Sequence, residues 1–116
     1  PEASIRLGWV EAASVTRPLV DELEALRKEL RAKGVDRIAL AGMGGSSLAP
    51  EVITATAGVE LVTLDSTDPG QVRAALTELA RTVVVVSSKS GSTVETDSQK
   101  RAFETSKAAT SWRPKL

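Results

Sequence analysis

The sequence has 116 residues, enough for one domain whose folding buries roughly 65% of the surface that the unfolded chain exposes. Its 15 basic and 15 acidic residues cancel, so it carries neither the basic surface of a nucleic-acid-binding protein nor a polybasic membrane-binding segment. Cysteine and histidine are both absent, which excludes a disulfide framework and a thiolate metal site.

No apolar run is long enough to span a membrane, and no charged-then-apolar leader opens the chain. We therefore expect a soluble, cytoplasmic protein without a cofactor or a metal. The chain starts at Pro1 without a methionine, which suggests a piece of a longer protein.

The first clear element is an amphipathic helix. Thr16 is its candidate cap, Pro18 lies in its first turn, and Gly34 ends it. The opposite face pairs glutamate with lysine four residues later, which predicts a solvated surface. The buried stripe is predicted from four leucines at helical spacing, namely Leu19, Leu23, Leu26 and Leu30.

A strand, a glycine-rich turn and a helix are predicted next. Arg37 to Ala41 is a short apolar run that leads into the turn from Gly42 to Ser47. Leu48 to Ala57 then has the pattern of a helix, and Gly58 is placed to end it.

The second strand is predicted from Glu60 to Leu64. Asp68 follows as a helix cap, with Pro69 at the first helical position and the helix continuing to about Ala80. Asp65 leaves two alternatives open, because its carboxylate can brace the loop or reach a ligand hydroxyl at the end of the strand.

The most informative stretch is Val83 to Thr96, VVVVSSKSGSTVET. Its four valines predict a strand that is buried on both faces, as at the centre of a parallel sheet. Five hydroxyl side chains, Lys89 and Gly91 follow and form a candidate anion-binding loop. Ser92 and Glu95 have the spacing of a capping box, so we expect a helix from Thr93 to about Lys107.

Strand, hydroxyl-bearing glycine turn and helix thus occur twice, about 45 residues apart. Alternating strands and helices predict an α/β fold, a three-layer sandwich with a parallel sheet. In such a sheet both turns lie at the carboxyl edge of the strands, where open α/β folds bind their ligands. Two anion-binding turns at one edge predict a single site.

Three motifs in order, GMGGSSLAPE, LDSTDP and VVVSSKSGSTVET, resemble the sugar-isomerase domain of glucose-6-phosphate isomerases, especially bacterial forms and those fused to transaldolase. The resemblance implies a truncated flavodoxin-like or Rossmann-like domain over residues 1–107, with the first strand between the second and third. Residues 108–116 are expected to form a frayed or artificial tail. The implied activity is the interconversion of glucose 6-phosphate and fructose 6-phosphate in glycolysis and gluconeogenesis.

By that resemblance, the substrate phosphate or an inorganic anion binds in the two turns, while Gly44 and Gly45 let the backbone approach the sugar. No catalytic residue is assigned, because the family's glutamate base lies in a later segment. This part of the protein is expected to hold the substrate without transforming it. The implied phosphate-binding residues are Ser46, Ser88, Lys89, Ser90, Ser92 and Thr93.

Two alternatives remain. Gly42-Met43-Gly44 after a strand, with Asp65 about 20 residues later, is close to the dinucleotide-binding fingerprint, although Ser47 replaces its third glycine. The second alternative is a non-catalytic fragment that self-associates. A domain truncated after its third strand would leave Val83 to Val86 at an edge, so we also expect a homodimer that pairs through this strand. The alternatives are dimerisation through helices, or the tail from Ala108 to Leu116 folding back over the edge.

Overall fold

The computed structural model describes residues 2–107, which form two compact units, one ending at Gly34 and one beginning at Val35. The predicted tail, residues 108–116, lies outside the described residues. The first unit contains α1 (Glu2–Arg6), a 3-10 turn (Leu7–Glu11), α2 (Ala12–Thr16) and α3 (Leu19–Ala32). The second unit contains β1 (Arg37–Gly42), α4 (Gly45–Thr56), β2 (Val62–Leu64), α5 (Pro69–Ala75), a 3-10 turn (Leu79–Arg81), β3 (Thr82–Ser87) and α6 (Val94–Lys107).

Helix α3 confirms the first predicted helix but not its cap. The Thr16 hydroxyl donates to the Ala12 carbonyl at 2.6 Å inside α2, and Pro18 occupies the position before the first helical residue. Thr16 is therefore wrong as a cap, because the chain is already helical there. Lys33 and Glu29 form one of the predicted i,i+4 pairs at 2.6 Å. The predicted buried stripe is wrong, since Leu19 and Leu23 are exposed and no residue of α3 is buried.

The second unit is an α/β fold in which helices flank a three-stranded parallel sheet, as predicted. The strand order is β2-β1-β3, which confirms that the first strand lies between the other two. Ala39 in β1 pairs with Val62 in β2 and with Val84 in β3. Strand β2 covers only three residues and is shorter than the predicted Glu60 to Leu64.

The core lies on the face of the sheet that α5 and α6 cover. Right-handed crossovers place α4 on the opposite face, because the chain moves from β1 to β2 in one direction and from β2 to β3 in the other. The buried side chains of this core are Ala39, Leu64, Ala75 and Phe103, and around them pack Val62, Val72, Leu76, Leu79 and Val84.

The predicted Asp68 cap is confirmed, since Asp68 Oδ2 accepts from the Gln71 amide at 2.8 Å. Helix α5 ends at Ala75 and not near Ala80. The 3-10 turn that follows still brings Leu79 onto the core, so the predicted apolar stripe holds although the helix is shorter.

Strand β3 is less buried than predicted. Val85 and Val86 are each 44% exposed, which contradicts the expectation of a strand buried on both faces. The reason is its place in the sheet: within residues 2–107, β3 pairs with β1 along one side only. The four valines therefore belong to an edge strand.

Two arginines, Arg37 and Arg81, make hydrogen bonds near the amino ends of β1 and β3. Arg37 Nη1 donates to the carbonyls of Ala75 and Thr77 at 3.3 and 2.7 Å. Asp36 accepts from Arg81 Nε and Nη2 at 2.8 and 2.9 Å. This hydrogen bonding, with the charges of Asp36 and Glu78, raises the pKa of Arg81. The arginines fix one end of the sheet, while the loops at its carboxyl end stay open to solvent.

None of the helices in the part of the chain that the structure describes is long and apolar enough to cross a membrane.

Candidate functional site

The carboxyl ends of β1 and β3 open into a cleft of about 440 Å³. Gly42, the last residue of β1, pairs with Ser87, the last residue of β3, so the loops that follow these strands begin side by side. The cleft contains five of the six predicted phosphate-binding residues. Its lining residues are Met43, Ser46, Ser87, Ser88, Lys89, Ser90 and Thr93.

The β1–α4 turn (residues 43–46) is held mainly by its backbone. Gly44 has φ 55° and ψ −122°, a conformation that other residues rarely adopt. Its carbonyl accepts from the amides of Ser47 and Leu48 at 3.0 and 3.1 Å, and the buried Ser47 hydroxyl donates to it at 3.1 Å. Helix α4 therefore starts at Gly45, before the predicted Leu48, and Ser46 in its first turn lines the cleft.

Close packing of the two loops depends on Gly42, which was not among the glycines singled out from the sequence. Gly44 and Gly45 are exposed and do not line the cleft, and an added Cβ at either would meet nothing within 4 Å. A Cβ on Gly42 would lie 3.2 Å from Ser46 Cβ and 3.3 Å from the Ser87 carbonyl oxygen. Gly42 thus allows the β1–α4 turn to lie directly against the end of β3.

The β3–α6 loop (residues 88–93) is held by its own hydroxyl groups. Ser88 Oγ accepts from the Gly91 amide at 3.0 Å and lies 3.3 Å from Thr93 Oγ1. Thr93 Oγ1 is also 3.4 Å from Ser90 Oγ. Gly91 has φ 71°, which lets the chain turn back over these side chains. Hydroxyl contacts this long are weak, so a ligand with better acceptors can replace them.

Ser92 differs from the other predicted phosphate-binding residues. It does not line the cleft, and its hydroxyl donates to Ser90 Oγ at 3.2 Å. Helix α6 begins at Val94, so Thr93 and not Ser92 immediately precedes the first helical residue. The capping box predicted from Ser92 and Glu95 is therefore wrong, because Ser92 lies one residue too early and its hydroxyl bonds inside the loop.

Met43 and Ser87 also line the cleft. Ser87 is one of the five hydroxyls of the predicted anion-binding loop, although it is not among the phosphate-binding residues that the resemblance implies. Ser87 could have been found from the strand register, since the last residue of a strand at the carboxyl edge faces whatever binds there. Met43 carries no chemical signal in the sequence.

The Asp65 side chain braces its own loop, which was one of its two predicted roles. Asp65 Oδ1 accepts from Gln71 Nε2 at 3.1 Å.

The chemistry of the cleft suits an anion. The lining residues present hydroxyl donors and one ammonium group next to the start of α6, where the first helical amides lack intrahelical partners. Neither a carboxylate nor a histidine is found among the lining residues that the structure describes. Across all the residues that the structure describes, no group of three His, Cys, Asp or Glu side chains could hold a metal ion.

This chain is similar to a probable glucose-6-phosphate isomerase from Natronomonas pharaonis. The two sequences are 37% identical over 98 residues, which is 82% of this chain and 23% of the relative. The chain therefore spans about a quarter of the length of that protein.

No protein-family model matches the sequence, and no solved structure matches it. The similarity to the Natronomonas protein supports the relationship that the three sequence motifs indicate.

Proposed function

We propose that the cleft binds the phosphate of a sugar phosphate, and that the chain is the phosphosugar-binding part of a glucose-6-phosphate isomerase of glycolysis and gluconeogenesis. The observation that carries the proposal is the meeting of two separate loops. Ser46 from the β1–α4 turn and Ser88, Ser90, Thr93 and Lys89 from the β3–α6 loop line one cleft. The similarity to the Natronomonas protein supports the choice of ligand.

A phosphate monoester suits these side chains physically. It carries about −1.5 to −2 charges at neutral pH and three strong acceptor oxygens. Each serine or threonine hydroxyl can turn to donate to one of those oxygens, and Lys89 adds a positive charge. A volume of about 440 Å³ lies within the usual range for small-molecule sites.

The cleft holds the substrate but does not supply the proton transfer. Interconverting an aldose and a ketose phosphate moves a proton between neighbouring carbons, which requires a positioned base. Glu95 is exposed in the first turn of α6 and does not line the cleft. We therefore assign the base to another segment of the full-length enzyme, and expect this chain alone to bind without turnover.

The test is a titration of ¹⁵N-labelled protein with inorganic phosphate and with glucose 6-phosphate, followed by chemical shift. We expect weak, saturable perturbations centred on residues 88–93 and on Ser46. Perturbations confined to other regions, or aldose–ketose turnover by the pure protein, would contradict the proposal. Fluorescence enhancement of NADH, with no competition from sugar phosphate, would favour the dinucleotide alternative instead.

We also propose that the protein forms a homodimer through β3. This strand has one paired side among the described residues, and Val85 and Val86 are 44% exposed next to its open backbone edge. A second copy that pairs with the same strand about a twofold axis would join two sheets and cover these valines.

Placing lysine at Val85 should weaken the dimer, because the charge would be buried at the new interface. Lysine at Val94, an exposed residue of α6, is the matched control and should leave the mass unchanged. Sedimentation measures both variants. A monomeric wild-type mass at high concentration, with the amides of residues 83–86 protected from exchange, would refute pairing through β3.

A further inference from the structure

Helix α6 connects the cleft to a second loop at the same edge of the sheet. This is the β2–α5 loop (residues 65–68), which lies beyond the β1–α4 turn because β1 is the central strand. Gln99, in the second turn of α6, donates from Nε2 to the Ser66 carbonyl at 2.8 Å. The helix that starts at the β3–α6 loop is therefore bonded to the loop that follows the opposite edge strand.

The contact lies at the inner end of a row of polar residues on α6. Thr93, Thr96 and Gln99 are spaced three apart, so each is a surface neighbour of the next from just before the helix into its second turn. Thr93 lines the cleft, whereas Thr96 and Gln99 are only 2% and 1% exposed. The row thus runs from the cleft into the protein and ends at Ser66.

Packing alone does not explain a glutamine at this position. Gln99 Oε1 is buried without a hydrogen-bond partner among the described residues, and so is Thr96 Oγ1. Buried polar groups are nearly always paired, and an unpaired one is destabilising. A leucine would fill similar space without that disadvantage. What the amide adds is the directed hydrogen bond to Ser66.

Hydrogen bonds hold the β2–α5 loop together and join it to the start of α5. Ser66 Oγ accepts from the Asp68 amide at 2.9 Å, and Asp68 caps α5 through the Gln71 amide. Gln71 Nε2 in turn donates to Asp65 Oδ1. A displacement of the Ser66 carbonyl is therefore expected to displace the whole loop and the start of α5.

We infer that Gln99 is a positioning residue that couples occupancy of the cleft to the position of the β2–α5 loop. The inference rests on the proposed function, because phosphate binding beside the start of α6 is its input. A phosphate that replaces the weak contacts of Ser88, Ser90 and Thr93 shifts the first turn of the helix. Gln99, less than two turns further along, transmits that shift to Ser66 through a buried hydrogen bond.

The first test is the wild-type phosphate titration by NMR. The amides of residues 66–68 should shift together with those of residues 88–93 and saturate at the same phosphate concentration. No shifts anywhere would mean that the proposed function fails. Shifts at residues 88–93 without any at residues 66–68 would leave the proposed function standing and overturn the coupling.

The second test is Gln99→Leu, which removes the hydrogen bond and keeps the bulk. We expect the response at residues 66–68 to disappear while that at residues 88–93 remains, and the phosphate Kd to rise about two- to thirtyfold. Ser98→Ala is the control, because Ser98 is an exposed neighbour whose hydroxyl donates to Val94 of its own helix.

A purely structural role for Gln99 would lower stability yet leave the loop response intact, and that result would overturn the inference. If the leucine variant does not fold, Gln99→Asn serves instead. It keeps the amide but draws it back from Ser66 by one methylene. A wild-type loop response in the folded asparagine variant would also overturn the coupling.

Discussion

The two loops that line the cleft are held in different ways. In the β1–α4 turn the Gly44 carbonyl accepts two backbone amides and a buried hydroxyl, so the main chain sets the shape. In the β3–α6 loop the side-chain hydroxyls set the shape: Ser88 and Ser90 Oγ accept from the amides of Gly91 and Ser92 at 3.0 and 3.2 Å. The remaining contacts run between the hydroxyls themselves, at 3.2 to 3.4 Å.

The difference separates rigidity from ligand chemistry. Backbone hydrogen bonds of the β1–α4 turn are needed to start α4, so they are not available to a ligand. The hydroxyls of the β3–α6 loop contact one another weakly and can turn toward a phosphate without unfolding the loop. One loop provides a fixed wall, and the other provides replaceable donors.

The largest expected effect is on stability and comes from crowding the β1–α4 turn. Gly42→Ala would place a Cβ 3.2 Å from Ser46 Cβ and 3.3 Å from the carbonyl oxygens of Ser46 and Ser87. Two of these three neighbours are backbone atoms, which have little room to move. We expect a loss of about 1–3 kcal/mol in the free energy of unfolding, measured by urea denaturation.

Gly45→Ala is the matched control, because an added Cβ there meets nothing within 4 Å and the residue begins α4. It should be neutral or raise stability by about 0.4–1 kcal/mol. Equal destabilisation by both alanines would show that the β1–α4 turn does not depend on the contact at Gly42.

The next effect concerns the replaceable donors and should appear in binding rather than in stability. Ser88→Ala and Thr93→Ala should each weaken phosphate binding by about 1–3 kcal/mol, the usual cost of a lost hydrogen bond to a charged group. Isothermal titration calorimetry measures the change, and the melting temperature should move little.

Ser92→Ala tests whether the cleft selects among neighbouring hydroxyls. Ser92 lies in the same loop but does not line the cleft, so its loss should affect binding much less than that of Ser88. A drop as large as that for Ser88→Ala would favour the role expected from the sequence over the one that the geometry supports.

Features with a local cause were predictable from the sequence. Asp68 before Pro69 caps α5 as expected, because a cap depends on residues three positions apart. The parallel α/β fold followed from the alternation of apolar runs and helical spacing, and the meeting of the two hydroxyl-bearing loops from their places at strand ends.

Features set by distant neighbours were not predictable. The role of Gly42 depends on Ser87, 45 residues away in the chain. The four valines alone predicted a strand buried on both faces, and its edge position was expected only from the truncation that the family resemblance implies. Thr16 and Ser92 show a related limit. Both match a cap pattern, yet one lies inside a helix and the other bonds within its loop.

The smallest expected effect concerns Lys89, which is the cation of the β3–α6 loop and is exposed to solvent. In water a unit charge about 4 Å from another contributes only about 1 kcal/mol, and physiological salt screens it further. Lys89→Gln should therefore weaken phosphate binding by less than about 1 kcal/mol at low salt, and the difference should shrink as salt is added. Lys100→Gln removes the same charge from α6, where Lys100 lies 3.7 Å from Glu104, and it should change binding less. A large loss for Lys89→Gln that persists in high salt would mean that the ammonium is desolvated against the phosphate. In that case the Lys89 charge, shielded from solvent, would contribute more to phosphate binding than the exposed hydroxyl donors of the β3–α6 loop.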